Sequence, residues 1–234
     1  MKATSKAKQS ANPQMLAGVI MDGIDVRAAS KAASAGADSF ELRIDSFKDT
    51  DTERLAGAIK DLGRRVKRPL ILTVRSAKEG GAKKISDEKR LEIYGALMPF
   101  VDFADIELSS MKIIKNVVKS ARKHNKKIIV SFHDFKGTPA KATLNGIVRR
   151  ARRAGADIVK IACRADSNAD LNALALVLLE NRSMIVIPMG AFGRPGRLFF
   201  PTLGSMVSYC PVKRASAPGQ LTISQFKDIT RRII

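Results

Sequence analysis

The chain has 234 residues, within the roughly 200–250 that single α/β barrels occupy. Hydrophobic residues make up 45% and charged residues 27%. That composition excludes a mainly disordered chain, a fibre and a disulfide-stapled mini-protein. Against 22 Asp and Glu stand 42 Lys and Arg, a net charge of +20, which favours anionic partners and says nothing about fold.

Residues 1–14 are polar and rich in Lys, Ser and Ala. They lack the apolar run of a signal peptide and read as a flexible basic tail on a cytoplasmic protein. From residue 15 to 234 the pattern is that of one domain. Short apolar runs fall at Leu16–Ile20, Ser39–Ile44, Leu70–Val74, Phe103–Leu108, Lys127–Phe132, Asp157–Ala162, Met184–Pro188 and Met206–Cys210. Between them lie amphipathic stretches at Asp25–Ala35, Thr52–Arg64, Asp87–Leu97, Met111–His124, Ala140–Arg153 and Asp170–Glu180, and a last one covers Ile223–Ile234. The segment between the last two apolar runs is shorter and richer in Gly and Pro. Alternating β and α elements imply a parallel sheet covered by helices. Eight runs with about eight helices suit a single-domain (β/α)8 TIM barrel. A doubly wound open sheet is the alternative, because periodicity does not show closure. No apolar run approaches the ~20 residues that cross a bilayer, so no membrane partner is expected. Cys163 and Cys210 sit in apolar segments and read as free core thiols.

One internal echo supports repeated βα units. Ala35-Gly36-Ala37-Asp38 and Ala154-Gly155-Ala156-Asp157 each end a helical pattern and open an apolar run. Glycine is the usual helix stop because it accepts the left-handed backbone. Five residues beyond each glycine stand Glu41 and Lys160.

Strands of a parallel sheet are buried on both faces and should be nearly continuous in apolar residues. Here polar side chains interrupt them near their C-terminal ends. Glu41 and Arg43 share one face of the second strand by its period of two. Arg75 ends the third, Asp105 and Glu107 interrupt the fourth, His133 ends the fifth and Lys160 interrupts the sixth. A buried unpaired charge costs several kcal/mol or more, and the C-terminal strand ends of a barrel are where its chemistry occurs. Convergence on one cavity is therefore expected. Lys160, in an apolar frame beside expected cations, has the character of an amine that attacks a carbonyl. His133 suits proton abstraction and donation, with Glu107 fixing its tautomer.

These residues carry a resemblance. The landmarks are Glu41-Leu42-Arg43, Thr73-Val74-Arg75 with Glu79-Gly80-Gly81, Asp105-Ile106-Glu107-Leu108 and Ser131-Phe132-His133-Asp134-Phe135. They continue with Asp157–Ala162, Met189-Gly190, Arg197, Gly204-Ser205 and Ala215-Ser216-Ala217-Pro218-Gly219-Gln220. In order and spacing they resemble type I 3-dehydroquinate dehydratase, the Schiff-base-forming class of the shikimate pathway, from about Leu16 to the C-terminus. The resemblance implies a (β/α)8 barrel that dehydrates 3-dehydroquinate to 3-dehydroshikimate with no cofactor and no metal, and it implies a homodimer. By position Lys160 matches the imine-forming lysine, His133 the general base and Glu107 the group that orients it. Glu41, Arg43 and Arg75 match the group that holds the substrate hydroxyls, Arg197 the partner of its carboxylate, and Ser216 and Gln220 the closing loop. The sequence departs in having Gly196 before Arg197, where a serine is common, and Arg194 competes for the carboxylate.

Two other readings compete. A class I aldolase would use the same lysine chemistry and need a phosphate site at the late strand ends, where Gly190, Gly193 and Gly196 lie. A nucleic-acid-binding protein would explain the charge and the run Arg149-Arg150-Ala151-Arg152-Arg153. However, aromatics are only 5% and no binding motif occurs, so a solvated helix face is favoured and no specific nucleic-acid partner is expected.

Overall fold

A computed structural model describes residues 15–213 and 220–233. The proposed tail at residues 1–14 and Ser216 of the closing loop lie outside them. Eight strands alternate with eight helices in one parallel sheet. The strands are β1 (Met15–Ile20), β2 (Ser39–Arg43), β3 (Leu70–Thr73), β4 (Phe103–Glu107), β5 (Lys127–Asp134), β6 (Ile158–Arg164), β7 (Met184–Met189) and β8 (Val207–Pro211). Between and after them run α1 (Val26–Ser34), α2 (Thr52–Val66), α3 (Asp87–Leu97), α4 (Ile114–Lys123), α5 (Lys141–Arg153), α6 (Asn168–Glu180), α7 (Gly190–Thr202) and α8 (Ile223–Ile233).

Strands pair in the order β7-β6-β5-β4-β3-β2-β1-β8. The Met206 N–H donates to Met184 O at 2.9 Å, which brings the two sheet edges together at the N-terminal end. The fold is a single (β/α)8 barrel, nearly closed, and the open-sheet alternative does not hold.

The Ala-Gly-Ala-Asp echo has a physical purpose. Gly36 and Gly155 adopt φ of 106° and 100°, where a side chain would be strained. Asp38 then accepts the Leu16 N–H at 3.0 Å, and Asp157 accepts the Ile128 N–H at 2.6 Å. Asp102 does the same for Leu70 at 2.8 Å. Each carboxylate ties the start of its own strand to that of the strand before it.

The Gly- and Pro-rich segment after β7 is a full helix, α7, with Pro195 and Pro201 inside it. Its glycines serve close approach. A Cβ on Gly193 would stand 2.5 Å from Pro188 C, and one on Gly196 would stand 2.3 Å from Pro188 Cγ. α7 therefore lies directly on β7, which the composition alone obscured.

Two apolar layers result. The larger fills the space between strands and helices, with Phe40, Leu42, Leu72, Ile106, Val130 and Val159 facing outward. The smaller plugs the barrel floor with Ala17, Ile71, Ile129, Ile158, Ile185 and Val207. Because of the period of two, residues two positions further on in these strands face inward above the floor. That set is Val19, Thr73, Ser131, Lys160, Ile187 and Tyr209. The floor closes the barrel below the polar strand residues, which face the cavity at its C-terminal end. Cys163 and Cys210 are buried, and burial pushes both thiols up to about 12, as core thiols rather than nucleophiles. No helix among the described residues is long and apolar enough to cross a membrane.

Candidate active site

Above the floor a cavity of about 170 Å³ is lined by Glu41, Arg43, Arg75, Glu79, His133, Lys160, Arg197, Tyr209 and Gln220 among others. The pairings set these groups side by side. Thr73 lies opposite Asp105, Ser131 opposite Lys160 and His133 opposite Ala162. Lys160 and His133 thus stand on adjacent strands at successive levels of one wall.

Lys160 is 4% exposed. Its Nζ is 2.9 Å from Asp105 Oδ2, 3.7 Å from Glu41 Oε1 and 4.4 Å above the centre of the Tyr209 ring. The sequence reasoning set cations beside this amine. Arg75 is such a cation, since its guanidinium and Lys160 Nζ share Asp105 Oδ2 at 3.0 and 2.9 Å, and the structure adds two carboxylates and a π face, because inward positions on β2 and β4 reach the axis at the level of β6. Thr73 Oγ1 donates to Glu41 Oε1 at 2.9 Å and fixes that carboxylate.

Arg75 organises the acids. Its guanidinium bonds Asp105 Oδ2 at 3.0 Å and Glu107 Oε1 at 2.9 Å, and donates to Ser131 Oγ at 2.7 Å. Ser131 in turn donates to Asp105 Oδ1 at 2.6 Å. Burial opposes ionisation of Asp105, but Arg75 and Lys160 outweigh it and hold its carboxyl well below the usual range. The same contest leaves Glu107 lowered, with Arg75 and Arg90 prevailing over burial. Arg43 forms a two-point pair with Asp45 at 2.9 and 2.8 Å, which aims its guanidinium across the cavity mouth.

His133 requires a correction. Glu107 is not its partner. Glu107 is 0% exposed and is enclosed by Arg75, Arg90, the Ser76 N–H and Ser110. Every one of its lone pairs is engaged there, because α3 delivers Arg90 through the wall behind β4. The partner of His133 is Glu79, which lies in the turn after β3. Glu79 Oε2 accepts the His133 backbone N–H at 2.9 Å and Nδ1–H at 3.0 Å, while Ser109 donates to its other oxygen. The backbone N–H is an obligate donor, so Oε2 is an acceptor and takes the ring nitrogen's proton as well. The tautomer inferred from this network carries its proton on Nδ1 and leaves Nε2 as the free base. Burial, followed by Arg75 and Lys160, holds the imidazole well below its ordinary value of 6.5, so it is neutral near pH 7. Burial raises the Glu79 carboxyl, and Glu107 adds to that. The turn requires glycine. Gly80 has a φ of 85°, and a Cβ on Gly81 would meet Arg75 O at 2.3 Å. Phe135 stacks beside His133 with ring centres 6.4 Å apart.

Arg197 projects from α7 into the cavity with no carboxylate partner among the described residues, and burial lowers its basicity. Arg194 is exposed and lines only a neighbouring depression, so of the two α7 arginines it is Arg197 that lines this cavity. Gln220 reaches the cavity wall. Glu79, Asp105 and Tyr209 went unassigned in the sequence. Asp105 could have been found, since it shares the inward face of β4 with Glu107. The Glu79-Gly80-Gly81 turn was visible as a landmark without a role. Among the described residues no group of three or more His, Cys, Asp or Glu could hold a metal ion.

A barrel whose C-terminal mouth holds a buried lysine, an adjacent neutral histidine and an arginine with no carboxylate partner among the described residues has the make-up of an enzyme site for a small molecule. The Type I 3-dehydroquinase family matches residues 23–233. A 3-dehydroquinate dehydratase of Hydrogenobaculum sp. is 40% identical over 190 residues, covering 81% of this chain and 85% of its own. The crystal structure of 3-dehydroquinate dehydratase from Geobacillus kaustophilus superposes with a TM-score of 0.87 at 28% identity, covering 94% and 91% of the two chains. That of the type I enzyme from Clostridium difficile with covalent modified comenic acid gives 0.86 at 26% identity, covering 96% and 93%. The chain belongs to the type I 3-dehydroquinase family. It is thus a hydro-lyase of the shikimate pathway that dehydrates 3-dehydroquinate.

Proposed function

We propose that this dehydration runs through a Schiff base on Lys160, with His133 as the general base and acid. The Lys160 amine adds to the C3 ketone of 3-dehydroquinate and water leaves, giving a protonated imine. Asp105 and Glu41, held beside the nitrogen, stabilise that positive charge. The imine is an electron sink, so the C2 proton is acidified. His133 Nε2 removes it, and the electrons pass into an enamine. The C1 hydroxyl then leaves as water, protonated by the same histidine, and hydrolysis of the imine frees 3-dehydroshikimate and the lysine.

Glu79 is the positioning residue for His133, in place of Glu107, whose part is to hold Arg75. Arg197 offers a forked, permanent charge to the substrate carboxylate. Glu41, Arg43 and Arg75 bind the ring hydroxyls, and Gln220, with Ser216 of the loop outside the described residues, closes over the substrate. The observation that carries this reading is the placement of Lys160 and His133 on adjacent strands in one cavity with Arg197, which has no carboxylate partner among the described residues. The covalent ligand of the Clostridium difficile enzyme also supports it.

The same reading takes the protein as a cytoplasmic homodimer. Leu176 and Leu179 of α6 and Phe192, Phe199 and Leu203 around α7 are exposed apolar side chains, and they offer an area for a second copy. Sedimentation tests the dimer. For the chemistry, a Lys160→Met variant is expected to lose turnover by ~10⁴-fold or more while still binding substrate. Retention of about one-tenth of the activity would remove Lys160 from the reaction.

A further inference from the structure

The net charge of +20 has no explanation at the active site, where Glu41, Asp45, Glu79, Asp105 and Glu107 offset Arg43, Arg75, Arg90, Lys160 and Arg197. It lies elsewhere. Each helix runs antiparallel to its strand, so helix C-termini gather at the barrel end opposite the cavity. Arg64 and Arg65 close α2, Arg122 and Lys123 close α4, Arg150, Arg152 and Arg153 close α5, and Arg231 and Arg232 close α8.

One groove there, of about 490 Å³, opens between the end of α5 and the 181–183 connection into β7. Arg149, Arg152, Arg153 and Arg182 line it, with no carboxylate and no aromatic ring. Arg152 is fixed by donation to Asp157 O at 2.8 Å and Ser183 O at 3.1 Å. Arg149, Arg153 and Arg182 have no ion-pair partner among the described residues. The acids of the flanking segments are already engaged, Asp157 by Arg122 and Glu180 by Lys141. A helix C-terminus favours one or two cations. It does not account for three unneutralised guanidiniums around one concavity, two of them at the i,i+4 spacing where like charges repel. The charge also extends sideways. Arg122 donates to Gly155 O at 2.9 Å, so the end of α5 adjoins the end of α4, whose last turn carries Arg122 and Lys123.

We propose that this groove is a phosphate-binding site through which the N-terminal face of the barrel holds a nucleic-acid strand by its backbone. Guanidinium forks match phosphate oxygens. Without aromatic residues for stacking, the groove reads phosphates and no base sequence. Basic helix ends at α2, α4, α5 and α8 on the same face fit a polymer better than a single small anion.

The test is fluorescence anisotropy with a labelled oligothymidylate of about 20 nucleotides, titrated between about 50 and 300 mM KCl. The Arg149→Ala/Arg153→Ala/Arg182→Ala variant is expected to bind at least about tenfold more weakly. Its log–log salt slope should be flatter by about 2, from roughly 0.7 for each lost phosphate contact on a single strand. Dehydratase activity should be unchanged, which shows that the variant is folded. An Arg27→Ala/Lys48→Ala/Lys115→Ala variant loses the same charge from exposed sites at the cavity end of the barrel and should bind nearly as the parent does. Equal weakening in both variants, or no binding by the parent at low salt, would overturn the proposal. So would displacement of the strand by micromolar inorganic pyrophosphate, which would make the groove a site for small phosphorylated ligands.

Discussion

His133 and Glu79 meet twice, since one carboxylate oxygen accepts both the imidazole Nδ1–H at 3.0 Å and the backbone N–H of the same residue at 2.9 Å. The ring is thereby held in one tautomer and one orientation. Glu79→Gln keeps the shape and removes the charge. It is expected to lower kcat by about tenfold to a hundredfold, a part of the ~10²–10⁴ that general acid–base catalysis contributes, with little change in KM. Steady-state kinetics with the pH profile of kcat/KM checks this, because a structural role alone would leave the profile in place.

Glu107→Gln should behave in the opposite way. It leaves Arg75 and Arg90 in a buried site with one countercharge removed, a change that costs about 3–5 kcal/mol. Denaturant unfolding should show that loss. In whatever fraction stays folded, the acid limb assigned to His133 should not move.

The imidazole also sets a pH dependence. Its folded pKa lies well below the ordinary 6.5, so below 6.5 the unfolded chain takes up a proton that the folded chain refuses. Stability from this group is complete above 6.5 and declines as pH falls through the lowered folded value. The acid limb of kcat/KM is accordingly expected below pH 6.5. A limb at or above 6.5 would mean that the site does not hold the histidine neutral.

The barrel was legible in the sequence because eight apolar runs alternate with amphipathic ones, and parallel strands carry that signal strongly. Lys160 and His133 stood out for the same reason: each is polar where its neighbours are apolar. The error over Glu107 has a physical source. Strand order made it the carboxylate one strand before His133, but a side chain's partner depends on what reaches through the wall, and Arg90 comes from α3 at a distance in the sequence. Glu79 sits in a turn, where polar residues are ordinary, and so gave no contrast. α7 was obscured by its prolines and by glycines, of which Gly193 and Gly196 allow close approach to Pro188.

Tyr209 separates the ring face from the hydroxyl. Its phenol oxygen is buried without a hydrogen-bond partner in the described structure, while its ring lies 4.4 Å beneath Lys160 Nζ. Tyr209→Phe keeps the face and is expected to be neutral or slightly stabilising. Tyr209→Leu removes a cation–π contact of about 1–2 kcal/mol, and kcat should fall by roughly 5- to 30-fold. Equal kinetics in the two variants would show that the ring acts only as packing.

Arg197 and Arg194 differ by burial and direction. Arg197→Lys should raise KM for 3-dehydroquinate by roughly tenfold or more, because a lysine cannot supply the fork. Arg194→Ala should change it little, and the reverse order would exchange their roles.

The central claim is a covalent bond between Lys160 and substrate. The direct measurement is incubation with 3-dehydroquinate and borohydride, followed by intact and peptide mass analysis. The account predicts one reduced adduct per chain, on the peptide containing Lys160 and absent without substrate. A folded, turning-over enzyme that yields no adduct, or yields it on another lysine, would contradict it.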